Sequence, residues 1–425
     1  MTWRPTPLSL VSWALYDLAN TIFALGVGSL YFASWITDNV EGLPSLLRGN
    51  GDADLALAVV VDAAMVVVIV LGPWIGARSD HRGPRARYLI PATVMAVVPT
   101  SFLATASPFG SLLLYGLALV GFNLGAVVYD AMLPDVSTPE NIGRVSGIGI
   151  AVGYLGSLAA WGIGEALLDS HGYPVVFRSI AVAFLLFALP SFFLVRERPR
   201  PAAAGPPPHL AGSLRHLVAA WRRTRLYPGV TRFLVGRFFY TDAVNTLIAG
   251  FLTIYAIEEV GFSDAQVRDL LIVAIAGSIL GGLLGGRLVD VVGPRRLLHW
   301  TLHTWVVAFG IGIAAGAAGS QALAWPLGAL GGLALGSTWA ADRVYMQRIS
   351  PPRFLGEFYG LYATVGRFAT ILGPLLWGLV VTVLGLPREV ALGVLLALLI
   401  AGRVILHKVD DGAREWAEAD LVPEA

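Results

Sequence analysis

Two stretches of the sequence place an acid inside an apolar run, and they match. Residues 16–21 read Tyr-Asp-Leu-Ala-Asn-Thr and residues 241–246 read Thr-Asp-Ala-Val-Asn-Thr. On a helix, Asp17, Asn20 and Thr21 stand at i, i+3 and i+4 and share one face, as do Asp242, Asn245 and Thr246. A carboxylate beside an amide can hold an ammonium or hydroxyl group, or take up a proton. The alternative use of both clusters is as polar clamps between packed helices. A charge in hydrocarbon is costly and is kept mainly for function.

Other charges lie in equally apolar surroundings. Asp62 stands alone in Val-Val-Val-Asp-Ala-Ala-Met-Val-Val-Val. A carboxyl without a local partner there suits reversible protonation, or else a packing hydrogen bond. Asp17, Asp62 and Asp242 are therefore the candidate proton carriers. Arg367, one residue past Gly366, is the most deeply placed arginine. It is the candidate anchor for a carboxylate or phosphate, or the partner of one of those three acids. Tyr154 and Trp161 are candidate substrate contacts on one segment, with Glu165 a turn beyond Trp161. Arg237 is expected to snorkel, and Arg343 to pair with Asp342 or Asp290. His299 and His303 form an i, i+4 pair without a third ligand, so no metal site is expected. No catalytic triad, phosphate-cradling loop or cofactor motif appears, which argues against an enzyme.

The elements that must position these groups are membrane helices. Of the 425 residues, 56% are hydrophobic and only 13% charged, where a soluble domain carries about 25% charge. Twelve segments of spanning length lie near 9–36, 55–77, 88–106, 111–133, 145–168, 174–195, 230–257, 266–289, 297–319, 323–346, 357–384 and 388–407. There is no cysteine, no sign of a cleavable signal peptide, and no basic footprint for nucleic acid. Glycine pairs such as Gly281-Gly282 and Gly285-Gly286 suit close helix approach, and Gly72-Pro73 and Gly373-Pro374 suit kinks.

Arginine sets the expected orientation. It collects in the even-numbered connections (Arg78 to Arg87, Arg196 to Arg225, Arg295 and Arg296, Arg348 and Arg353), while the odd-numbered ones are acidic. The positive-inside rule then places both termini in the cytoplasm. Residues 1–196 form a first six-helix bundle and 230–407 a second. Residues 197–229 form a Pro-rich cytoplasmic linker with a basic amphipathic stretch from Leu214 to Trp221, and 408–425 a polar, frayed tail.

The two bundles repeat one another. Gly76-x-x-x-Asp80-x-x-Gly83-Pro84-Arg85 matches Gly286-x-x-x-Asp290-x-x-Gly293-Pro294-Arg295. Asp130, Pro139, Gly143 and Gly147 match Asp342, Pro352, Gly356 and Gly360, in the same order as the doubled Asp-x-x-Asn-Thr. An ordered set of this kind points to duplication and to a polar site between two six-helix halves.

The Gly-x-x-x-Asp-x-x-Gly-x-Arg pattern after both the second and eighth segments resembles the signature loop of the major facilitator superfamily. Further stretches resemble its UMF1 branch, which includes fungal vacuolar amino-acid effluxers related to autophagy. They are Ser12-Trp13-Ala14-Leu15-Tyr16-Asp17-Leu18-Ala19-Asn20, Leu133-Pro134-Asp135, Gly143-Arg144-Val145-Ser146-Gly147 and Glu357-Phe358-Tyr359-Gly360-Leu361-Tyr362. Trp339-Ala340-Ala341-Asp342-Arg343 and Arg367 depart from that branch's pattern. The resemblance implies an all-α fold of twelve transmembrane helices in two pseudo-symmetric bundles. It implies that the first and seventh helices bring Asp17, Asn20, Asp242 and Asn245 to one cavity. It also implies a gating set of Asp80, Arg82, Arg85, Asp130, Asp290, Arg295 and Arg343, with each signature Asp capping a helix across the halves and Arg82 or Arg85 paired with Asp130.

The expected protein is a proton-coupled secondary transporter of an amino acid or related zwitterion, monomeric, in a bacterial plasma membrane, with a small-molecule substrate, protons and the bilayer as its partners. Two other readings are an exporter of amphiphilic compounds, favoured by Trp13, Trp161, Trp339 and Trp377, and a non-transporting receptor on the same fold.

Overall fold

The computed structural model describes residues 4–47, 53–81, 84–198, 212–248, 252–412, 414 and 416. The first span joins α1 (Pro7–Leu25) to α2 (Phe32–Asp38) through a π-helical stretch, Gly26–Tyr31. Thr6 caps α1, its hydroxyl accepting the Ser9 amide at 3.2 Å, and Pro7 stands where no helical donor is missed. Then follow α3 (Asp54–His81), α4 (Ala86–Ser101), α5 (Pro108–Ala131), α6 (Ile142–His171) and α7 (Tyr173–Phe193). The linker carries α8 (Ser213–Thr224), and its residues 199–211 lie outside the described residues.

The second bundle opens with α9 (Val230–Thr246) and α10 (Leu252–Glu258), two parts of one span. It continues with α11 (Asp264–Val292), α12 (Pro294–Ala317) and α13 (Gln321–Ile349). The eleventh span is broken into α14 (Leu355–Phe368) and α15 (Leu372–Gly378), and α16 (Arg388–Leu406) ends the bundle. Among the described residues, nine helices are long and apolar enough to cross a membrane. The other three spans are the short α4, the interrupted α9–α10 and the charged α13, which carries Asp342, Arg343 and Arg348.

The bundles meet along two seams, α3 on α14 and α6 on α11. Both seams are built on glycine. A Cβ on Gly360 would stand 2.6 Å from the Gly72 carbonyl oxygen, and one on Gly286 2.9 Å from the Gly147 Cα. A Cβ on Gly76 would strike the Gly356 backbone, and one on Gly147 the Gly282 carbonyl. The named contacts all lie toward the end that carries the signature loops, called the loop end below.

Two expectations about kinks part company. Gly72-Pro73 sits inside an unbroken α3, whereas Gly373-Pro374 accompanies the break between α14 and α15. Pro374 has no N–H for the Thr370 carbonyl, and its ring crowds that carbonyl. The polar tail is docked rather than frayed as far as it is described. Tyr345 donates to the Val409 carbonyl at 2.8 Å, and Arg414 to the Ile349 and Pro228 carbonyls at 3.1 and 2.6 Å.

Candidate functional site: a buried ion network at the junction of the bundles

Arg343 ties the two bundles together. It rises from α13, and its guanidinium reaches three helices of the first bundle. NH1 lies 3.1 Å from Asp130 Oδ1 on α5 and NH2 lies 3.7 Å from Asp17 Oδ2 on α1. On α6, Nε donates to the Ser146 hydroxyl at 3.3 Å and NH2 to the Ser146 carbonyl at 3.2 Å. The Trp13 and Tyr129 rings flank it, 5.0 and 5.6 Å from its central carbon. The guanidinium is buried while both carboxylates stay partly exposed, so Arg343 depends on these two acids and Ser146 for its solvation. The expected partners Asp342 and Asp290 are not those of Arg343, because both are engaged elsewhere.

Asp342 belongs to a second buried cluster. Arg237 Nε lies 2.9 Å from its Oδ2, Tyr362 donates to Oδ2 at 2.9 Å, and Tyr240 donates to Oδ1 at 2.6 Å. Arg237 also stacks on the Tyr362 ring at 3.6 Å. It is 5% exposed, so it does not snorkel to an interface. Nothing in its sequence neighbourhood distinguished it; its partners come from α13 and α14.

The signature loops carry a third set of ion contacts. Asp80 accepts the Gly356 and Glu357 amides at 2.9 and 3.0 Å, at the N-terminus of α14. Asp290 accepts the Gly143 and Arg144 amides at 2.7 and 2.9 Å, at the N-terminus of α6. Each acid thus satisfies free helix-end donors of the opposite bundle and sits at the positive end of its dipole. Arg85 does not meet Asp130. It pairs with Asp80 at 2.9 Å and Asp135 at 3.3 Å and donates to the Ala131 carbonyl, while Arg343 occupies Asp130. Arg82 lies outside the described residues.

The repeat extends further than the sequence motif. Glu197 accepts the Arg85 and Ala86 amides at 2.6 and 3.0 Å, and Asp411 accepts the Arg295 amide at 3.0 Å. Each is an acid just past the last helix of its bundle, capping the helix after the signature loop. Arg295 also donates to the His407 carbonyl at 2.8 Å. Two acids at offsets close to the motif's own were the missed signal.

The doubled Asp-x-x-Asn-Thr does not yield two equivalent sites. Asp17 meets Arg343 as described, Thr21 donates to the Asp17 carbonyl at 3.0 Å, and Asn20 is buried with its amide oxygen unpartnered. Gly153 leaves room beside Asp17; a Cβ there would stand 3.3 Å from its Cγ. Asp242 is fully buried instead against the break in the eleventh span. Its carboxylate faces the backbone of Leu372 and Gly373 at the start of α15, and a Cβ on Gly373 would come within 2.8 Å of it. Asp242 and Asp17 therefore stand in different surroundings, one against a broken helix and the other beside Arg343. Asn245 is half-buried beside it on α9.

Asp62 is exposed, not buried as expected. It lies seven residues before Ile69, whose carbonyl accepts from Thr364, and eighteen before Asp80, so it shares their face at 100° per residue. That face carries the seam with α14 at the loop end and is open at Asp62. Arg367 lies seven residues after Gly360 and three after Thr364, on the face of α14 that meets α3. Its Nε has no hydrogen-bond partner among the described residues, and Asp130 and Arg237 lie within its electrostatic range. Tyr154 on α6 faces Ser278 of α11 and Trp339 of α13. Trp161 is drawn outward, its indole N–H donating to Glu165 at 3.1 Å.

A family model described as "Vacuole effluxer Atg22 like" matches residues 55–416. The chain belongs to that family. An uncharacterised transporter of the major facilitator type, YxiO of Bacillus subtilis, is 25% identical over 415 residues, covering 94% of both chains. Autophagy-related protein 22-1 of Penicillium rubens is 24% identical over 316 residues, covering 66% of this chain and 52% of its own. Among solved structures, the human organic anion transporter MFSD10 (TETRAN) superposes with a TM-score of 0.72 at 17% identity, covering 94% of this chain and 98% of that one. A bacterial homologue of the iron transporter ferroportin, in an outward-facing state, gives 0.71 at 16% identity, covering 94% and 98%. This Atg22-like chain therefore has the major facilitator fold, twelve helices in two bundles, and is an integral multi-pass membrane transporter rather than an enzyme.

Proposed function

We propose that this chain moves a small zwitterion, an amino acid or a close relative, by alternating access coupled to protons. The observation that carries this is the ion network at the junction: Arg343 of one bundle shared by Asp17 and Asp130 of the other. Charges shared between two bodies that must separate make the separation depend on their protonation. Asp17 is the proton carrier, because neutralising it removes one of the two acids that hold Arg343. Arg367, with a free Nε on the face where the bundles part, takes the substrate carboxylate; Asp62 and Asn20, with Tyr154, offer acceptors to its ammonium.

Asp242, buried against the broken eleventh span with neither carboxylate oxygen hydrogen-bonded among the described residues, stands apart from these groups, and Trp161 and Asn245 lie at the margin of the site. Asp80, Asp290 and the arginines around them act as the gate. If the arginine-rich loop end faces the cytoplasm, the structure is closed inside and open outside, in a bacterial plasma membrane with both termini internal. The resemblance to the UMF1 branch and the fungal effluxer relatives support an amino-acid substrate.

The test is counterflow in proteoliposomes with a panel of amino acids, peptides, nucleosides, sugars and amphiphilic cations at two pH values. Uptake of a zwitterion that Arg367→Ala abolishes, in a folded variant, is the expected result. Flux confined to amphiphiles would overturn the substrate, and no flux across the whole panel would favour a receptor.

A further inference from the structure

The linker helix α8 is held at the loop end by a specific clamp. Arg223 donates to both oxygens of Glu357 at 2.7 and 2.6 Å, and its guanidinium lies 4.4 Å from the Phe354 ring centre. His216 approaches the same carboxylate at 3.5 Å. Glu357 lies in the first turn of α14, where its amide is one of the two bound by Asp80. The clamp fixes the side of α8 that faces α14 and α3, and leaves its other side open.

On that open side a groove of about 750 Å³ runs between α8, α9 and α14. Its walls are apolar: Leu217 and Trp221 of α8, Phe238 and Phe239 of α9, Leu361 and Phe368 of α14. From Leu361 to Phe368 it climbs seven residues, about 10 Å and so about a third of a hydrocarbon core. Its α8 rim is cationic, with exposed Arg222 and Arg225, and a second depression lined by Arg215, Arg222 and Arg223 adjoins it. The described walls include no acid.

We propose that this groove binds an anionic phospholipid of the leaflet at the loop end. One acyl chain lies along α9 and α14, and the phosphate rests on Arg222 and Arg225. The two halves of the groove select for that occupant together. A water-soluble anion would leave the aromatic wall uncovered, and a neutral lipid would leave two guanidiniums unanswered. A juxtamembrane basic cluster attracts anionic headgroups by itself. Here the adjoining apolar slot gives the lipid a defined seat, built partly from α14, a helix of the bundle seam.

The test measures binding to the purified full chain in detergent by native mass spectrometry, titrating dioleoyl-phosphatidylglycerol and dioleoyl-phosphatidylcholine in parallel. The wild type should retain the anionic lipid much more tightly than the zwitterionic one. Arg222→Gln with Arg225→Gln should weaken the anionic lipid about 30-fold, from two charge contacts near the membrane surface, and the Lys pair should largely restore it. Arg87→Gln with Arg296→Gln, two exposed arginines elsewhere at the loop end, should leave binding unchanged. Phe239→Ala should weaken both lipids, and glycerol phosphate should not compete. Equal binding of the two lipids, an unaffected Arg222/Arg225 variant, or equal loss in the control pair would each overturn the assignment.

Discussion

Removing the Asp290 carboxylate should open the loop end without unfolding either bundle. Asp290 accepts two amides of the opposite bundle, Gly143 at 2.7 Å and Arg144 at 2.9 Å. A hydrogen bond to a charged group contributes about 1.5–3 kcal/mol net. Both partners become solvated when the seam parts, so the lower end applies, about 3 kcal/mol for the pair. That is roughly a hundredfold in the ratio of closed to open forms; a population closed 100 to 1 would approach parity in Asp290→Ala. The chain has no cysteine, so spin labels can be introduced on an empty background. Glu140 and Val291 are exposed positions flanking the α6–α11 seam. Double electron–electron resonance between them should show one short distance in the wild type and an added longer one in the variant. Asp411→Ala removes a comparable cap, on the Arg295 amide at 3.0 Å, but within one bundle, and should leave the distances alone. An unchanged distribution in Asp290→Ala, or the same change in Asp411→Ala, would refute the cross-bundle argument.

Asp80→Ala should act on the α3–α14 seam in the same way, and the double variant should add the two shifts, since the caps share no partner. Arg343→Ala leaves Asp17 and Asp130 together without their cation and should cost about 3–5 kcal/mol in denaturant unfolding. Adding Asp17→Asn and Asp130→Asn should recover much of that loss; no recovery would mean that packing, not charge, dominates. Asp17→Asn should abolish proton-driven accumulation while sparing exchange, whereas Asp242→Asn should keep coupling. Coupled transport in the Asp17 variant would remove Asp17 as the proton carrier. Gly286→Leu should wedge the α6–α11 seam and lengthen the same spin-label distance as Asp290→Ala; an unchanged distance would mean that the seam yields elsewhere.

The spans were legible because hydrocarbon imposes one simple demand, about 20 apolar residues per crossing, and punctuation by Pro, Gly and charge is local. The signature-loop acids were legible as a repeated motif, and their spacing from the following glycines carries the cap. What could not be read was partner choice. Asp130 and Arg85 each have several plausible counterparts in one dimension, and only the reach of the Arg343 side chain from α13 across the junction of the bundles gives Asp130 to Arg343. The inequivalence of Asp17 and Asp242 was hidden for a similar reason. It arises from the break near Thr370, which has no counterpart beside Asp17, and a Gly-Pro pair reads alike whether the helix bends or stops. The exposure of Asp62 followed from periodicity, but only once it was known where α3 and α14 separate.

The glycine seams carry a kinetic consequence. Backbone meets backbone at Gly76–Gly356 and Gly147–Gly282, so little side-chain interdigitation has to be undone there when the bundles part. Sliding or rolling along such a surface asks few rotamers to change. The friction of the switch then resides in the carboxylate-to-amide contacts and the shared Arg343. Such a machine is latched electrically rather than mechanically, and its speed should follow protonation, salt and the membrane potential more closely than the stiffness of its core.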